Sequence, residues 1–243
     1  MSYNYPEQIQ CVIIAGGIAT RLRPITETIP KSLIPICGRP FLTYQIDILK
    51  KNGIYDIVLL VGYLGEQIEA RFGDGSGSGV HITYSYERES LLGTGGAIRN
   101  ALPMLTDEFF VLYGDSYLDI DYQSVHSAFK IAKLPALLVV YKNNNQWDTS
   151  NLIFVDNRVI LYDKRHRTPD MKYIDYGLSV LTKQVVEGIP PDIEYDLGDV
   201  YHTLSVSGKL AGYEVDTRFY EIGSKSGIHN FETYIAEKNS NKR

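Results

Sequence analysis

Apolar and polar positions alternate along the chain in a strand–helix rhythm. Cys11-Val12-Ile13-Ile14-Ala15 is a short continuous apolar run, as expected of a strand buried on both faces. Leu42, Ile46 and Leu49 recur at helical spacing, with Gly53 as a stop. Ile57–Val61 predicts a second buried strand. Leu64, Ile68 and Phe72 mark another helix, and Ile98, Ala101, Leu102 and Leu105 a third. Phe109–Tyr113 and Ala136–Tyr141 predict further buried strands. This order implies an α/β chain with a doubly wound, mixed but mostly parallel sheet between helix layers, three layers in all.

From about residue 143 the pattern changes. Leu152–Val155 and Val159–Tyr162 flank Asp156-Asn157-Arg158, a hairpin signal. Gly177–Leu181 and Ala211–Val215 read as strands, Leu197–Val206 and Lys225–Glu237 as helices. Asp74–Gly79 reads as a flexible loop, residues 1–9 as a loose lead-in and 238–243 as a fraying end. No linker separates the halves. The expectation is one domain over 1–243, with a nucleotide-binding half near 10–142 and a second-substrate half near 143–237.

Composition narrows the function. Apolar residues make up 44% and charged residues 22%, as in an ordinary globular enzyme. A net charge of −5 argues against a general nucleic-acid binder. No apolar run approaches the ~18 residues of a membrane span, and no signal peptide is apparent, so the cytoplasm is the expected location. Cys11 and Cys37 sit in apolar contexts and read as reduced core residues. The five histidines (81, 126, 166, 202, 229) show no metal-binding spacing and read as structural, and no G-x-S-x-G elbow occurs.

The sharpest segment follows the first strand: Gly16-Gly17-Ile18-Ala19-Thr20-Arg21-Leu22-Arg23-Pro24, then Pro30-Lys31-Ser32-Leu33-Ile34-Pro35. Ligands of open α/β sheets bind at the carboxyl ends of strands, and glycines there let backbone N–H groups approach phosphate. Between 21 and 39 stand four cations (Arg21, Arg23, Lys31, Arg39) and one acid (Glu27), a local +3 that leaves −8 for the rest. A cationic loop on an acidic protein suits a polyphosphate. A solvated basic loop is the plain alternative. The spacing fits neither the P-loop nor G-x-G-x-x-G.

These residues resemble the signature of the sugar-1-phosphate nucleotidyltransferases, G-G-x-G-T-R-L-(R)-P…P-K-x-L-x-P. Ala19 stands where that family usually has glycine. Leu91-Leu92-Gly93-Thr94-Gly95-Gly96-Ala97 is similar to the family's L-G-T-G-G-A segment, closest to guanylyl- and heptose-type members. Tyr113-Gly114-Asp115 resembles its G-D metal motif. Arg218-Phe219-Tyr220-Glu221-Ile222-Gly223-Ser224 resembles x-W-x-D-I-G-T, with Glu221 for the aspartate. Tyr162-Asp163-Lys164 and Tyr173-Ile174-Asp175-Tyr176-Gly177 resemble its sugar-phosphate half.

The resemblance implies a Rossmann-like nucleotidyltransferase fold and a short form without a C-terminal β-helix. It implies transfer of a nucleoside monophosphate from an NTP to a sugar 1-phosphate, with Mg²⁺ as cofactor. Arg21 and Lys31 would be catalytic, and Asp115 and Glu221 would hold the metal. Ala15, Gly16, Gly17, Ala19, Thr20, Leu92, Gly93, Thr94 and Gly96 would contact the nucleotide. Asp163, Lys164, Tyr176 and Gly177 would contact the sugar phosphate. The motifs lean towards GTP with D-glycero-D-manno-heptose 1-phosphate or mannose 1-phosphate; a UTP or CTP enzyme is the nearest substitute. A non-catalytic nucleotide-sugar binder, motivated by Ala19 and Glu221, and a dinucleotide oxidoreductase are the rivals. No nucleic-acid or membrane partner is expected, and a homodimer is left open. Asp119 and Asp121 read as solvated loop acids. Tyr173, Tyr176, Tyr195, Tyr201 and Tyr220 read as a sugar-pocket floor or a subunit interface.

Overall fold

The computed structural model describes residues 9–17, 20–87 and 91–240. In chain order the elements are β1 (Gln10–Ile14), β2 (Pro35–Ile36), β3 (Arg39–Pro40), α1 (Phe41–Lys51), β4 (Asp56–Val61), α2 (Gly65–Phe72) and β5 (His81–Tyr86). Next come α3 (Gly93–Asn100), β6 (Glu108–Tyr113), β7 (Ser116–Tyr117), α4 (Tyr122–Ala132), β8 (Ala136–Lys142), β9 (Leu152–Val155) and β10 (Arg158–Tyr162). The remainder is β11 (Tyr173–Thr182), α5 (Lys183–Glu187), α6 (Leu197–Val206), β12 (Leu210–Val215), β13 (Tyr220–Glu221) and α7 (Lys225–Ser240).

Nine strands form one sheet in the order β5-β4-β1-β6-β11-β8-β12-β10-β9. The first four are mutually parallel, with Cys11 opposite Ile57 on one side and Phe110 on the other. β11 runs antiparallel to both β6 and β8 and carries the sheet into the second half without a break. The β9–β10 hairpin closes the far edge.

The buried apolar strands build two cores at once, because side chains alternate across a pleat. Cys11, Ile13, Ile57, Leu59, Phe110 and Leu112 face α1, α2, α4 and α7. Val12, Val58, Leu60, Phe109 and Val111 face α3, α5 and α6. The result is the expected three-layer α/β/α sandwich with a mixed sheet, in which four of the eight neighbouring strand pairs are parallel and four antiparallel, fewer parallel than the apolar runs predict.

Besides the two-residue strands β2, β3, β7 and β13, three elements escape the sequence reading. β5 (HITYSY) alternates like an edge strand rather than running apolar. α5 is only five residues long. α4 does carry a signal: Asp121 caps it, accepting from Gln123 N and Ser124 N, and Tyr122, Val125 and Phe129 are buried at helical spacing. Asp121 is therefore a cap, not a loose loop acid. Asp119 is likewise engaged, accepting from Lys51 Nζ, Tyr234 Oη (2.9 Å) and Lys238 Nζ. The Asp74–Gly79 segment, read as flexible, forms a 3-10 turn in which Asp74 Oδ1 accepts from Ser76 N (3.0 Å). Cys11 is buried as expected, but Cys37 is exposed, at a turn between the short strands β2 and β3. Most of the lead-in and the last three residues lie outside the described residues, while α7 continues to Ser240. Among the described residues no helix is long and apolar enough to cross a membrane.

Candidate active site

The site forms where β1 and β6, adjacent and parallel, end together. Gly114 makes this close approach possible: its N–H donates to Ile14 O (3.0 Å), and a Cβ there would collide with that same carbonyl. Ala15 and Gly16 are thereby drawn alongside Asp115. Helix α1 then fixes the turn. Gln45 is fully buried, and its Nε2 donates to Tyr113 O (2.9 Å) and Ser116 O (2.8 Å), one on each side of Asp115. Sequence pattern alone hides Gln45, because it occupies the same helix face as Leu42, Ile46 and Leu49.

Two cavities meet at Asp115, which lines both together with Tyr113. The first, about 310 Å³, is bordered by Ala15, Gly16, Gly17, Lys31, Gly93, Thr94 and the acids Glu87 and Glu194. Burial raises the Glu87 carboxyl above the usual range, against the effect of the Leu92 N–H that it accepts. The second, about 570 Å³, is bordered by Arg21, Trp147, Lys164, Asp175, Tyr176, Gly177, Arg218 and Glu221.

The charged groups cluster at the junction. Lys31, held on a one-turn 3-10 helix after Pro30, donates from Nζ to Asp115 Oδ2 at 2.8 Å. β13 pairs with β7, setting Glu221 opposite Ser116, and Ile222 N donates to Asp115 O (2.9 Å). Arg21 Nη2, Asp115 Oδ2 and Glu221 Oε2 all lie within 3.4 Å of the point where a Cβ on Gly223 would stand. Glu221 is pinned in turn by the Gly223 N–H and by Ser224 Oγ (2.9 Å).

Asp115 and Glu221 fit a hard divalent cation. Both offer only oxygen, the donor such ions prefer, and among the described residues Asp115 Oδ1 has no hydrogen-bond partner closer than Ser116 Oγ at 3.4 Å. Among the described residues no cluster of three or more His, Cys, Asp or Glu side chains could hold a metal. Two carboxylates leave most of a six-fold shell to water and substrate oxygens, the usual situation of Mg²⁺ at phosphate sites.

The other sequence candidates divide. Ala15, Gly16, Gly17, Gly93 and Thr94 come together in the first cavity; Lys164, Tyr176 and Gly177 come together in the second. Ala19 lies outside the described residues, and Thr20, itself exposed, opens a 3-10 turn anchored by the buried Leu22. That turn carries Arg21 to the second cavity, away from Gly16 and Gly17. Leu92 and Gly96 are not brought to either cavity. Gly95 N and Gly96 N donate to Tyr195 O (2.8 and 3.1 Å), and Leu197 N donates to Thr94 Oγ1 (2.8 Å). Much of the L-G-T-G-G-A segment thus interlocks α3 with the start of α6. Asp163 is not brought to the second cavity either: its Oδ1 accepts from Arg165 N (2.7 Å) and His166 N (2.8 Å), capping its own turn. Of the tyrosines, Tyr176 and Tyr220 line the second cavity, whereas Tyr201 is buried against Ser179 (2.7 Å).

Sequence reasoning gave no role of its own to Asp175, the single acid of strand β11. It is half-buried and accepts from Gly177 N (2.9 Å) and Tyr162 Oη (3.2 Å). Burial raises its carboxyl above the usual range, and the Lys164 ammonium opposes that rise. An isolated charge in a strand interior is the signal that could have marked it.

Comparison with known proteins identifies the family and agrees with the fold. The nucleotidyl transferase family model matches residues 10–149, more than half of the chain. A D-glycero-α-D-manno-heptose 1-phosphate guanylyltransferase from Campylobacter jejuni is 31% identical over 224 residues, covering 92% of this chain and 98% of that protein. A UTP–glucose-1-phosphate uridylyltransferase from Synechocystis is 30% identical over 228 residues, covering 87% of this chain but 58% of its own length. Among solved structures, HddC from Yersinia pseudotuberculosis complexed with GMP-PN superposes with a TM-score of 0.78 at 24% identity, covering 94% of this chain and all of that one. With a family match over more than half its length and relatives above 30% identity along nearly all of it, the chain belongs to the nucleotidyl transferase family, with the sugar-1-phosphate nucleotidyltransferases.

Proposed function

We propose that this protein transfers a nucleoside monophosphate from an NTP to a sugar 1-phosphate, releasing pyrophosphate. The observation that carries the reading is the junction at Asp115, where a glycine-walled cavity and a larger polar cavity share one charged cluster. Donor and acceptor are both anions, so the task is alignment and charge neutralisation rather than covalent catalysis.

In this reading the first cavity holds the NTP, with the Gly16-Gly17 backbone against the phosphates. The second holds the sugar 1-phosphate. An acceptor phosphate oxygen attacks the α-phosphorus in line. The bond from the α-phosphorus to the bridging oxygen breaks, and pyrophosphate departs with the electron pair. Lys31 places its ammonium where negative charge grows, and Arg21 balances charge on the acceptor side of the carboxylates. Asp115 and Glu221 would hold the divalent cation, Mg²⁺ in this proposal; when bound, it supplies further neutralisation of phosphate oxygens. Gly177 lines the second cavity with its backbone at φ +97°, a conformation glycine adopts freely.

The heptose- and mannose-type guanylyltransferases among the relatives favour GTP with D-glycero-D-manno-heptose 1-phosphate or mannose 1-phosphate. Uridylyltransferase relatives keep UTP as the second choice. The test is pyrophosphate release across four NTPs crossed with a panel of sugar 1-phosphates, with product masses read by mass spectrometry. One productive pair is expected. Nucleotide binding with no release on any pair would refute transfer and favour a non-catalytic binder.

A further inference from the structure

Arg218 is held in the acceptor-side cavity in an unusual way. Its guanidinium carbon lies 3.6 Å from the centre of the Trp147 ring and 4.9 Å from that of Tyr220. Its Nε is buried with no hydrogen-bond partner. Among the described residues it forms no ion pair, whereas other cations do, such as Lys31 with Asp115, Arg165 with Asp199 and Lys238 with Asp119. Stacking occupies the faces of a guanidinium and leaves its edge, a fork of N–H donors matched to phosphate or carboxylate oxygens, free.

The stack is built rather than incidental. Trp147 sits on the loop after β8, and the fully buried Asn143 ties that loop together. Asn143 Nδ2 donates to Asp148 O (2.6 Å) and Ser150 Oγ (3.2 Å), and its Oδ1 accepts from Trp147 N (3.0 Å). The acid on this loop, Asp148, accepts from Thr149 N rather than from Arg218. Arg218 itself leads directly into β13, which carries Glu221.

We propose that Arg218 is the receptor for the acceptor's phosphate group, holding it through the edge of a guanidinium set against Trp147 and Tyr220. This rests on the reading of the second cavity as the acceptor side. The other cation expected to do this work, Lys164, already acts on the half-buried Asp175, whose carboxyl it holds down against the effect of burial. Among the described residues Arg218 forms no ion pair, so its charge is open to an incoming anion.

Trp147 is the chain's single tryptophan, so its fluorescence reports on the stack without any turnover. The experiment titrates the full chain with inorganic phosphate, with mannose 1-phosphate and with mannose. The two phosphates should each give a saturable change in emission, and mannose none at equal concentration. Arg218→Gln should weaken the mannose 1-phosphate response about 10- to 100-fold, the worth of a charged hydrogen-bond pair, with GTP affinity and melting temperature unchanged. Arg218→Lys should recover only part of the loss, because it keeps the charge without the fork. No response to either phosphate in the wild type, wild-type affinity in Arg218→Gln, or an equal loss of GTP affinity would each overturn the proposal. The two readings fail separately. A Trp147 response through Arg218 with no pyrophosphate release refutes transfer alone. Turnover with an unchanged acceptor KM in Arg218→Gln refutes the receptor alone.

Discussion

Replacing Gly223 by alanine tests whether the charged cluster is tuned by position. The added methyl would stand 2.6 Å from Glu221 Oε2, 3.3 Å from Arg21 Nη2 and 3.4 Å from Asp115 Oδ2. Ordinary contact begins near 3.4 Å, so the Glu221 oxygen must retreat by about 0.8 Å (3.4 − 2.6). The backbone at 223 is not left-handed, so alanine itself is tolerated. The retreat strains the two hydrogen bonds that pin Glu221, from Gly223 N and Ser224 Oγ. At about 0.5–1.5 kcal/mol each, their complete loss would lower the melting temperature by about 2–12 °C, at roughly 2–4 °C per kcal/mol for a chain of this size. The effect on chemistry is read separately, because a displacement of about 1 Å can cost ~10²-fold in rate. The assay is pyrophosphate release against divalent-cation concentration, beside a thermal melt. We expect kcat to fall about 10²-fold and half-activation to need more cation. Gly77→Ala, where the methyl meets nothing within 4 Å, serves as the control. Wild-type kcat and cation dependence in Gly223→Ala would refute the idea that Glu221 is positioned for a metal.

Other predictions follow from the same geometry. Lys31→Ala removes the ammonium 2.8 Å from Asp115 and should lower kcat by about 10²–10³; unchanged turnover in a folded variant would remove Lys31 from the chemistry. Gln45→Leu leaves Tyr113 O and Ser116 O without their donor, so stability should drop by about 1–3 kcal/mol in denaturant melts, with kcat reduced because the Asp115 turn is no longer held. Asp119→Asn should unlatch α7 from the β7–α4 loop. Burial disfavours the Asp119 carboxylate, but its bonds from Lys238, Tyr234 and Lys51 outweigh this and leave its pKa lowered. The wild-type advantage is therefore present above the unfolded pKa of about 3.9 and lost as pH falls through the lower folded value, so the wild type and Asp119→Asn should converge in acid melts. Asp175→Asn should behave in the opposite sense. Its folded pKa is raised by burial, so ionisation costs stability at neutral pH, and the melting temperature of Asp175→Asn relative to wild type should be more favourable at pH 8 than at pH 4.

What could be read from the sequence depended on whether one residue carried its own signal. β1, β4 and β6 were legible because strands covered on both faces leave no room for polar side chains, and the run of apolar residues is the consequence. The glycine-rich loop was legible through its likeness to a family signature; +3 over nineteen residues of an acidic chain, beside glycines at a strand end, left a solvated basic loop open. Spacing within a motif does not report which way each N–H or carboxylate points. Asp163 and Lys164 are neighbours, yet only Lys164 reaches the cavity, because Asp163 closes its own turn. Gly95 and Gly96 likewise donate to Tyr195, 100 residues further on, a partner no local pattern contains. The residues that hold the site in place were the least legible. Gln45 is a lone amide on an apolar helix face, and its worth lies in two carbonyls of a distant turn. Trp147 and Arg218 are separated by much of the second half of the chain and become a unit only when the loop after β8 meets β13 at one cavity. Groups that touch a ligand cluster in short motifs because a ligand is small. Groups that hold those motifs in register come from wherever the sheet brings the chain back, so only the fold reveals them.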